Sequence, residues 1–187
     1  MERLWKSVAA LAVLVLAACS TLGVPSGPGG QRLDPLHDDV AGLLIAFDLP
    51  RGLGPAKGSL FTFDVATGGA GEHLRLQLVQ ADADMIGTSL PPPGVDRAYY
   101  LFAISETDRF AVRAAQASAL ARGVTGANVT IGVVPKLCTT QGLDPNLVTV
   151  SVLAAVPGQR ALLPFLDRIV LAQLLQQPGS TQMPFCA

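Results

Sequence analysis

The sequence predicts a mainly β domain, an antiparallel two-sheet sandwich of six or seven strands with one inserted helix. Three observations predict it. Short segments alternate apolar and polar residues, clusters of glycine and proline separate them, and a single alanine-rich stretch carries helix start and stop signals. Half of the 187 residues are hydrophobic and 14% are charged, so the chain has enough apolar side chains for one core.

Seven segments carry the strand pattern. In 73–79, three leucines alternate strictly with polar residues, which is typical of a half-buried strand. Residues 98–104 are apolar on both faces, which predicts a central strand. Pro164 cannot donate to a ladder, so 161–166 is predicted at an edge. The predicted strands are 43–49, 60–65, 73–79, 98–104, 129–133, 148–152 and 161–166.

Three connections carry turn residues. Residues 50–58 read as a wide hairpin-type loop, 68–71 as a glycine turn, and 91–94 as a proline-rich interruption. All three are predicted to join antiparallel neighbours.

The inserted helix is predicted at about 106–122. Ser105 to Asp108 resembles a capping box, and Gly123 supplies a stop. A strand is the alternative, because Phe110, Val112 and Ala114 also alternate, but length and alanine content favour a helix. Four apolar residues share one helix face: Phe110, Ala114, Ala117 and Ala121. A short C-terminal helix is predicted over 170–176.

The N-terminus has the plan of an export signal. Arg3 and Lys6 precede an uninterrupted apolar run, 8–16, which is too short to span a bilayer of about 30 Å. The next residues, Leu16-Ala17-Ala18-Cys19, resemble the lipobox of bacterial lipoproteins. The alternative is an ordinary signal peptide whose removal releases a soluble protein.

The resemblance implies a lipid anchor. The Cys19 thiol would receive a diacylglyceryl group, the chain would be cut before Cys19, and the new α-amino group would be acylated, often with palmitate. Two or three acyl chains hold a protein on a membrane, whereas one is marginal. Ser20, rather than Asp, follows the cysteine. In a Gram-negative cell this implies the outer membrane, facing the periplasm.

These readings divide the chain into three parts. Residues 1–18 are the signal peptide, 19–38 the lipidated N-terminus with a flexible Gly- and Pro-rich tether, and 39–187 one folded domain. The strand spacing resembles an immunoglobulin-type domain in architecture only. That family's Cys-Trp-Cys arrangement is absent, since the only tryptophan, Trp5, lies in the signal.

Three cysteines are an odd number for an exported chain. With lipid on Cys19, Cys138 and Cys186 remain as a pair, and an oxidising compartment favours a disulfide between them. Two free, buried thiols are the alternative. Neither cysteine has a second Cys or His at ligand spacing, so no metal site is predicted.

Few residues are candidates for catalysis or for binding a metal ion or an anion. His37, next to Asp38 and Asp39, and His73, on the polar face of its strand, are both expected in solvent. The carboxylates of Asp82 and Asp84 do not complete a calcium loop. No nucleophile elbow or phosphate loop is present, and Thr88, Ser89 and Ser118 have no base nearby in sequence. Arg109 and Arg113, one helical turn apart, are candidates to grip an anion.

The sequence therefore predicts a lipid-anchored, non-enzymatic envelope protein with a structural or protein-interaction role. Its partners would be the membrane, through Cys19, and another envelope protein; no catalytic residue and no cofactor are assigned. A net charge of −1 and the absence of a basic block argue against nucleic acid. The alternative is a ligand-binding accessory lipoprotein with an apolar pocket lined by Tyr99, Tyr100 and Phe110. A more remote one is a hydrolase-type enzyme built on His37 or His73.

Overall fold

The computed structural model describes residues 32–66, 71–82, 90–159, 162–176 and 183–186. Within them lie nine strands and two α-helices. The strands are β1 (Leu44–Pro50), β2 (Leu53–Pro55), β3 (Leu60–Val65), β4 (Glu72–Gln80), β5 (Arg97–Ile104), β6 (Val129–Val134), β7 (Leu137–Thr139), β8 (Thr149–Ala155) and β9 (Leu162–Val170). The helices are α1 (Glu106–Ala121) and α2 (Leu171–Leu175). Short 3-10 helices span Val40–Gly42 and Gly126–Asn128.

Seven strands form one antiparallel sheet in the order β6-β3-β4-β5-β1-β8-β9, and β2 pairs with β7 in a separate ribbon. The nine-residue strand β4 joins the two halves of the large sheet. Its residues 72–77 pair with β3, and its residues 78–80 pair with β5. The prediction of a mainly β, antiparallel fold with two helices is confirmed, although hydrogen bonds connect all seven strands in one sheet.

All seven predicted strands are present, with ends shifted by a few residues. The apolar strand β5 lies inside the sheet between β4 and β1, as its two apolar faces predict. At one edge of the sheet, β9 carries Pro164 opposite Leu153.

Two connections join neighbours as predicted, and one does not. The pairs β3–β4 and β4–β5 are antiparallel. Residues 68–70 of the predicted glycine turn lie outside the described residues. The prediction for 50–58 is wrong, because β1 pairs with β5 and β8 rather than with β3. That segment contains β2 instead, which pairs with the equally unpredicted β7. Strands of three residues are too short to show alternation.

Both helices form where the sequence predicts them, and the strand alternative for 106–122 is wrong. The Ser105 hydroxyl oxygen accepts the Asp108 N–H at 3.2 Å and donates to the Asp108 carboxylate at 2.8 Å. After α1, Gly123 adopts a positive φ of 70°, which ends the helix at little steric cost.

We predict that Ser105→Ala lowers the free energy of unfolding by about 1 kcal/mol, because the Asp108 N–H loses its cap. Denaturant unfolding measures the change. The control is Ser118→Ala on the exposed side of α1, where alanine is neutral or slightly stabilising. Equal losses in the two variants would contradict a capping role for Ser105.

The buried side of α1 is not the face with Phe110. Val112, Ala115, Gln116 and Ala119 point into the protein, whereas Phe110 is 78% exposed. Gln116 is tolerated there because its amide donates to the carbonyl oxygens of Pro35 at 2.9 Å and Asp38 at 3.0 Å.

Packing begins before residue 39. Leu33 and Leu36 are almost fully buried in the same hydrophobic cluster as β1, β3 and α1. Asp34 shapes this segment by accepting the Leu36 N–H at 2.9 Å. Partial burial raises the pKa of the Asp34 carboxyl, but the hydrogen bonds from Leu36 and His37 outweigh it and lower the pKa below its usual value. The segment 32–38, assigned to the tether by sequence, thus contributes side chains to the core.

The described helices include none that combines the length and the apolar character needed to cross a bilayer.

Candidate binding groove

A groove of about 610 Å³ lies where β1 ends and β5 begins. Its walls are residues 50–55, which include the β1–β2 turn and β2, and residues 96–98 at the start of β5. The Tyr100 ring, Thr140 and the Cys138–Cys186 disulfide complete it. The cavity lined by these residues is called the groove below. Its lining combines glycine, proline, tyrosine and the disulfide with three charged residues, Arg51, Asp96 and Arg97.

A partly buried ion pair lies beside the groove, on the face of the sheet that carries Tyr99. The Arg97 Nε donates to Asp48 Oδ1 at 2.8 Å, and the two side chains are 19% and 18% exposed. The remaining guanidinium nitrogens donate to the carbonyl oxygens of Asp48 at 2.7 Å and Thr149 at 3.3 Å. Arg97 therefore ties β5 to β1 and β8, and its donors are already engaged.

A looser charged pair lies at the mouth of the groove. The Arg51 guanidinium is 3.9 Å from the Asp96 carboxylate, and these side chains are 84% and 73% exposed. The Arg51 N–H donates to the Asp96 carbonyl oxygen. Asp96 has a positive φ of 57°, a conformation that aspartate adopts more readily than most residues. The backbone here is fixed, while the charged groups reach into solvent.

The C-terminal segment already adds a strand to the β2–β7 ribbon. Thr139 donates its N–H to the Pro184 carbonyl oxygen at 2.9 Å and accepts the Cys186 N–H at 2.8 Å. The bridge runs parallel, and the Sγ atoms of Cys138 and Cys186 lie 2.10 Å apart, the distance of a disulfide bond. One edge of β7 is thus covered by the chain's own C-terminal segment, held by the cysteine pair that the sequence predicted.

The opposite edge of the ribbon belongs to β2 and borders the groove. Hydrogen bonds from Thr140 N–H to Gly52 O and from Ala56 N–H to Lys136 O fix the register. Because antiparallel pairing alternates, the N–H and C=O of Leu53 then point away from β7. Gly54 packs directly against the disulfide, since a Cβ there would sit 3.4 Å from Cys186 Sγ. Main chain, rather than long side chains, lines this wall.

The three aromatic residues predicted to line an apolar pocket do not come together. Tyr100 lines the groove, whereas Tyr99 is on the other face of β5 and Phe110 is on α1. Burial raises the pKa of the Tyr99 hydroxyl, Asp48 raises it further, and Arg97 partly opposes this. A pocket exists, but its lining comes mostly from loops and short strands with no periodic signal.

Both histidines are exposed, and each contacts one carboxylate. His37 Nδ1 is 2.9 Å from Asp34 Oδ2, and His73 Nδ1 is 2.9 Å from Asp64 Oδ1. Neither histidine lines the groove. These pairs are solvent-exposed surface contacts and do not form a cleft with a nucleophile.

The other candidate residues do not converge either. Arg109 donates to the Ile104 carbonyl oxygen at 3.1 Å, and Arg113 lies 3.6 Å from Asp39, so the two arginines do not share an anion. Over the described ranges, no three His, Cys, Asp or Glu side chains are grouped to hold a metal ion. Of the candidate site residues, Cys19, Asp84, Thr88 and Ser89 lie outside the described residues.

The groove is not predicted by the sequence. Asp48 is one polar position in an alternating strand, and Arg97 precedes an apolar one, so neither is unusual in its local pattern. The sequence signal is a charged residue near the end of each of two strands, β1 and β5. It can be interpreted only when the register of β1 against β5 is known. Comparison of the chain with models of known protein families, with characterised proteins and with solved structures gives no match.

Proposed function

We propose that the protein is a lipid-anchored, non-enzymatic protein of the cell envelope that binds a segment of a partner protein in the groove. The observation that carries this proposal is the position of the groove relative to the tether. The described chain starts beside α1, where β1 begins and β5 ends, and the groove lies at the other ends of these strands. Seven residues of β1 separate the two regions by about 24 Å.

An extended polypeptide suits the groove better than a compact ligand. Residues 50–55 line one wall of the groove, and pairing of an extended peptide with main-chain groups at a sheet edge is a common mode of recognition. The C-terminal segment makes such a pairing with Thr139 on the other edge of the ribbon.

The anchor is supported by the lipobox-like residues Leu16 to Cys19, and Ser20 favours the outer membrane of a Gram-negative cell. We expect the mature wild-type protein to start at an acylated Cys19 and to sediment with membranes. The Cys19→Ala variant should lack the acyl mass and lose the membrane association. A wild-type protein recovered in the soluble fraction with an unmodified N-terminus would contradict the anchor.

Site-specific photo-crosslinking tests the groove. A photoreactive amino acid replaces Arg51 at the mouth of the groove in the membrane-bound protein. The matched control replaces Arg75, an exposed arginine on β4 outside the groove. We expect a discrete protein adduct from position 51 that is absent from position 75. Identical adducts at both positions, or none at position 51, would contradict a binding role for the groove.

A small-molecule ligand is the second candidate, and the size of the cavity favours it. Ligand pockets typically enclose about 300–1,000 Å³, and the groove encloses about 610 Å³. Native mass spectrometry of protein purified from its own membranes distinguishes the two. A stoichiometric small molecule that is lost on Tyr100→Ala, without a protein adduct at position 51, would favour the accessory ligand-binding function.

We also propose that the two halves of the sheet pack face to face across the core, as in the predicted sandwich. Phe47 on β1 and the pair Phe61 and Phe63 on β3 are fully buried in one cluster, although β3 and β1 are separated by two strands in the sheet. Side chains from distant strands meet in one core when a sheet folds over itself.

A further inference from the structure

The exposed side of α1 carries two large apolar side chains. Phe110 is 78% exposed and Leu120 is 43% exposed. Three alanines lie between or beside them on the exposed side of the helix. The residues of this surface, called the outer face of α1, are Phe110, Ala114, Ala117, Leu120 and Ala121. The opposite side of the helix is packed on the core, so the outer face makes no use of its apolar area within the described fold.

Two arginines beside the outer face are paired with carboxylates, and Glu106 is exposed one turn before Phe110 on the same side of the helix. Arg113 lies 3.6 Å from Asp39, and Arg122 lies 3.4 Å from Glu72. Contact with an apolar surface would therefore not bury these arginines without counter-ions, which is the main cost of moving a charged helix out of water. Long arginine side chains also keep their charged ends in solvent when their stems are covered.

The tether reaches the folded domain next to the same helix. Gln116, on the buried side of α1, donates to Pro35 and Asp38, which hold the start of the described chain against the helix. Twelve residues separate Cys19 from Arg32. A chain of twelve residues spans at most about 40 Å. A lipid on Cys19 would hold α1 close to the headgroups.

We propose that the outer face of α1 lies on the phospholipid bilayer that carries the Cys19 anchor, with Phe110 among the headgroups. The inference rests on the proposed anchor. A single helix face of this size binds membranes weakly by itself, but tethering makes the contact intramolecular and raises the effective lipid concentration. The bilayer then fixes the orientation of the domain, and the groove, at the far ends of β1 and β5, opens away from the membrane.

Tryptophan fluorescence tests the contact. Trp5 is the only tryptophan and lies within the predicted signal peptide, so Phe110→Trp gives the mature protein a single probe. The control is Val95→Trp, because Val95 is 94% exposed and precedes β5 at the groove end. Both full-length lipidated variants are reconstituted into phosphatidylethanolamine–phosphatidylglycerol vesicles, with ordinary or brominated acyl chains. Ala117→Trp is a second probe of the outer face, should Phe110→Trp fold poorly.

We expect Phe110→Trp to emit at shorter wavelength than Val95→Trp and to lose most of its fluorescence to brominated lipid, while Val95→Trp is unaffected. Emission from Phe110→Trp that stays water-like and unquenched would overturn the inference. Equal quenching of both probes would show no preferred orientation and would also overturn it. Shielding without bromine quenching, reversed by diluting the protein in the vesicles, would assign the face to a second copy instead.

The anchor and the helix contact can fail separately. The mass of the mature N-terminus reports acylation of Cys19 before reconstitution. An acylated protein with an unquenched Phe110→Trp probe overturns only the helix contact. A protein without acyl chains overturns the anchor, and with it the inference.

Discussion

Replacing Cys138 and Cys186 together by serine is expected to lower the free energy of unfolding by about 4 kcal/mol in the chain-entropy description of disulfides. The two cysteines are 48 residues apart in sequence, so the bond closes a long loop in the unfolded chain. Its removal restores the conformational freedom of that loop. The typical stability of a domain is about 5–15 kcal/mol, so this single change is expected to remove a large share of it.

The measurement is denaturant unfolding of oxidised and reduced protein. Wild type in the presence of reductant should unfold like the double serine variant, and the variant itself should be indifferent to reductant. The double variant tests the bond better than a single one, because a single replacement leaves a reactive thiol. A loss below about 1 kcal/mol, equal with and without reductant, would indicate that the two thiols are free in the native protein.

The same change is expected to loosen the C-terminal segment locally. The Thr139 and Cys186 N–H groups are hydrogen-bonded between β7 and the C-terminal segment, and the disulfide holds this short pairing together. In the double variant we expect these two amides to exchange faster than in the wild type and to lose most of their protection. Amides in the central strand β1 should also exchange faster than in the wild type but remain better protected than these two. Unchanged exchange at Thr139 would show that the parallel bridge is stable without the disulfide.

The secondary structure of the large sheet could be predicted because it is encoded locally. The period-2 pattern of β4 and the Ser105 cap with Gly123 after α1 are readable from neighbouring residues. What could not be predicted depends on residues far apart. The pairing partners of β1 depend on the whole sheet. The orientation of α1 depends on Gln116, a polar residue that is buried because its amide donates to two carbonyl oxygens in the segment 32–38. This orientation leaves the outer face of α1 exposed.

The groove was beyond sequence reasoning for the same reason. It forms where β2 and β7, three residues each, meet the start of β5. Asp48 and Arg97 are 49 residues apart, and only the register of β1 against β5 makes them partners. The pairing of the cysteines was predictable because their number left one combination once Cys19 was set aside, an argument that needs no geometry.

Asp48→Asn is expected to lower the free energy of unfolding by about 3 kcal/mol, because the substitution leaves the Arg97 guanidinium largely buried without its counter-ion. Arg97→Met should lower the free energy of unfolding by a similar amount. It leaves the Asp48 carboxylate without its counter-ion and the carbonyl oxygens of Asp48 and Thr149 without the Arg97 donors. The control is Arg51→Met at the mouth of the groove. Its partner is 3.9 Å away and both side chains are highly exposed, so the expected loss is below about 1 kcal/mol.

Denaturant unfolding of the three single variants and of Asp48→Leu/Arg97→Met distinguishes a paired charge from mere packing. Removing both charges should cost clearly less than the sum of the single losses, because neither group is then left unpaired. Additive losses, or an Arg97→Met loss no larger than that of Arg51→Met, would contradict the role assigned to this ion pair. Because Arg97 lines the groove and ties β5 to β1 and β8, Arg97→Met should also weaken the protein adduct formed from position 51. The double apolar variant, in which the strands stay packed, should restore it in part.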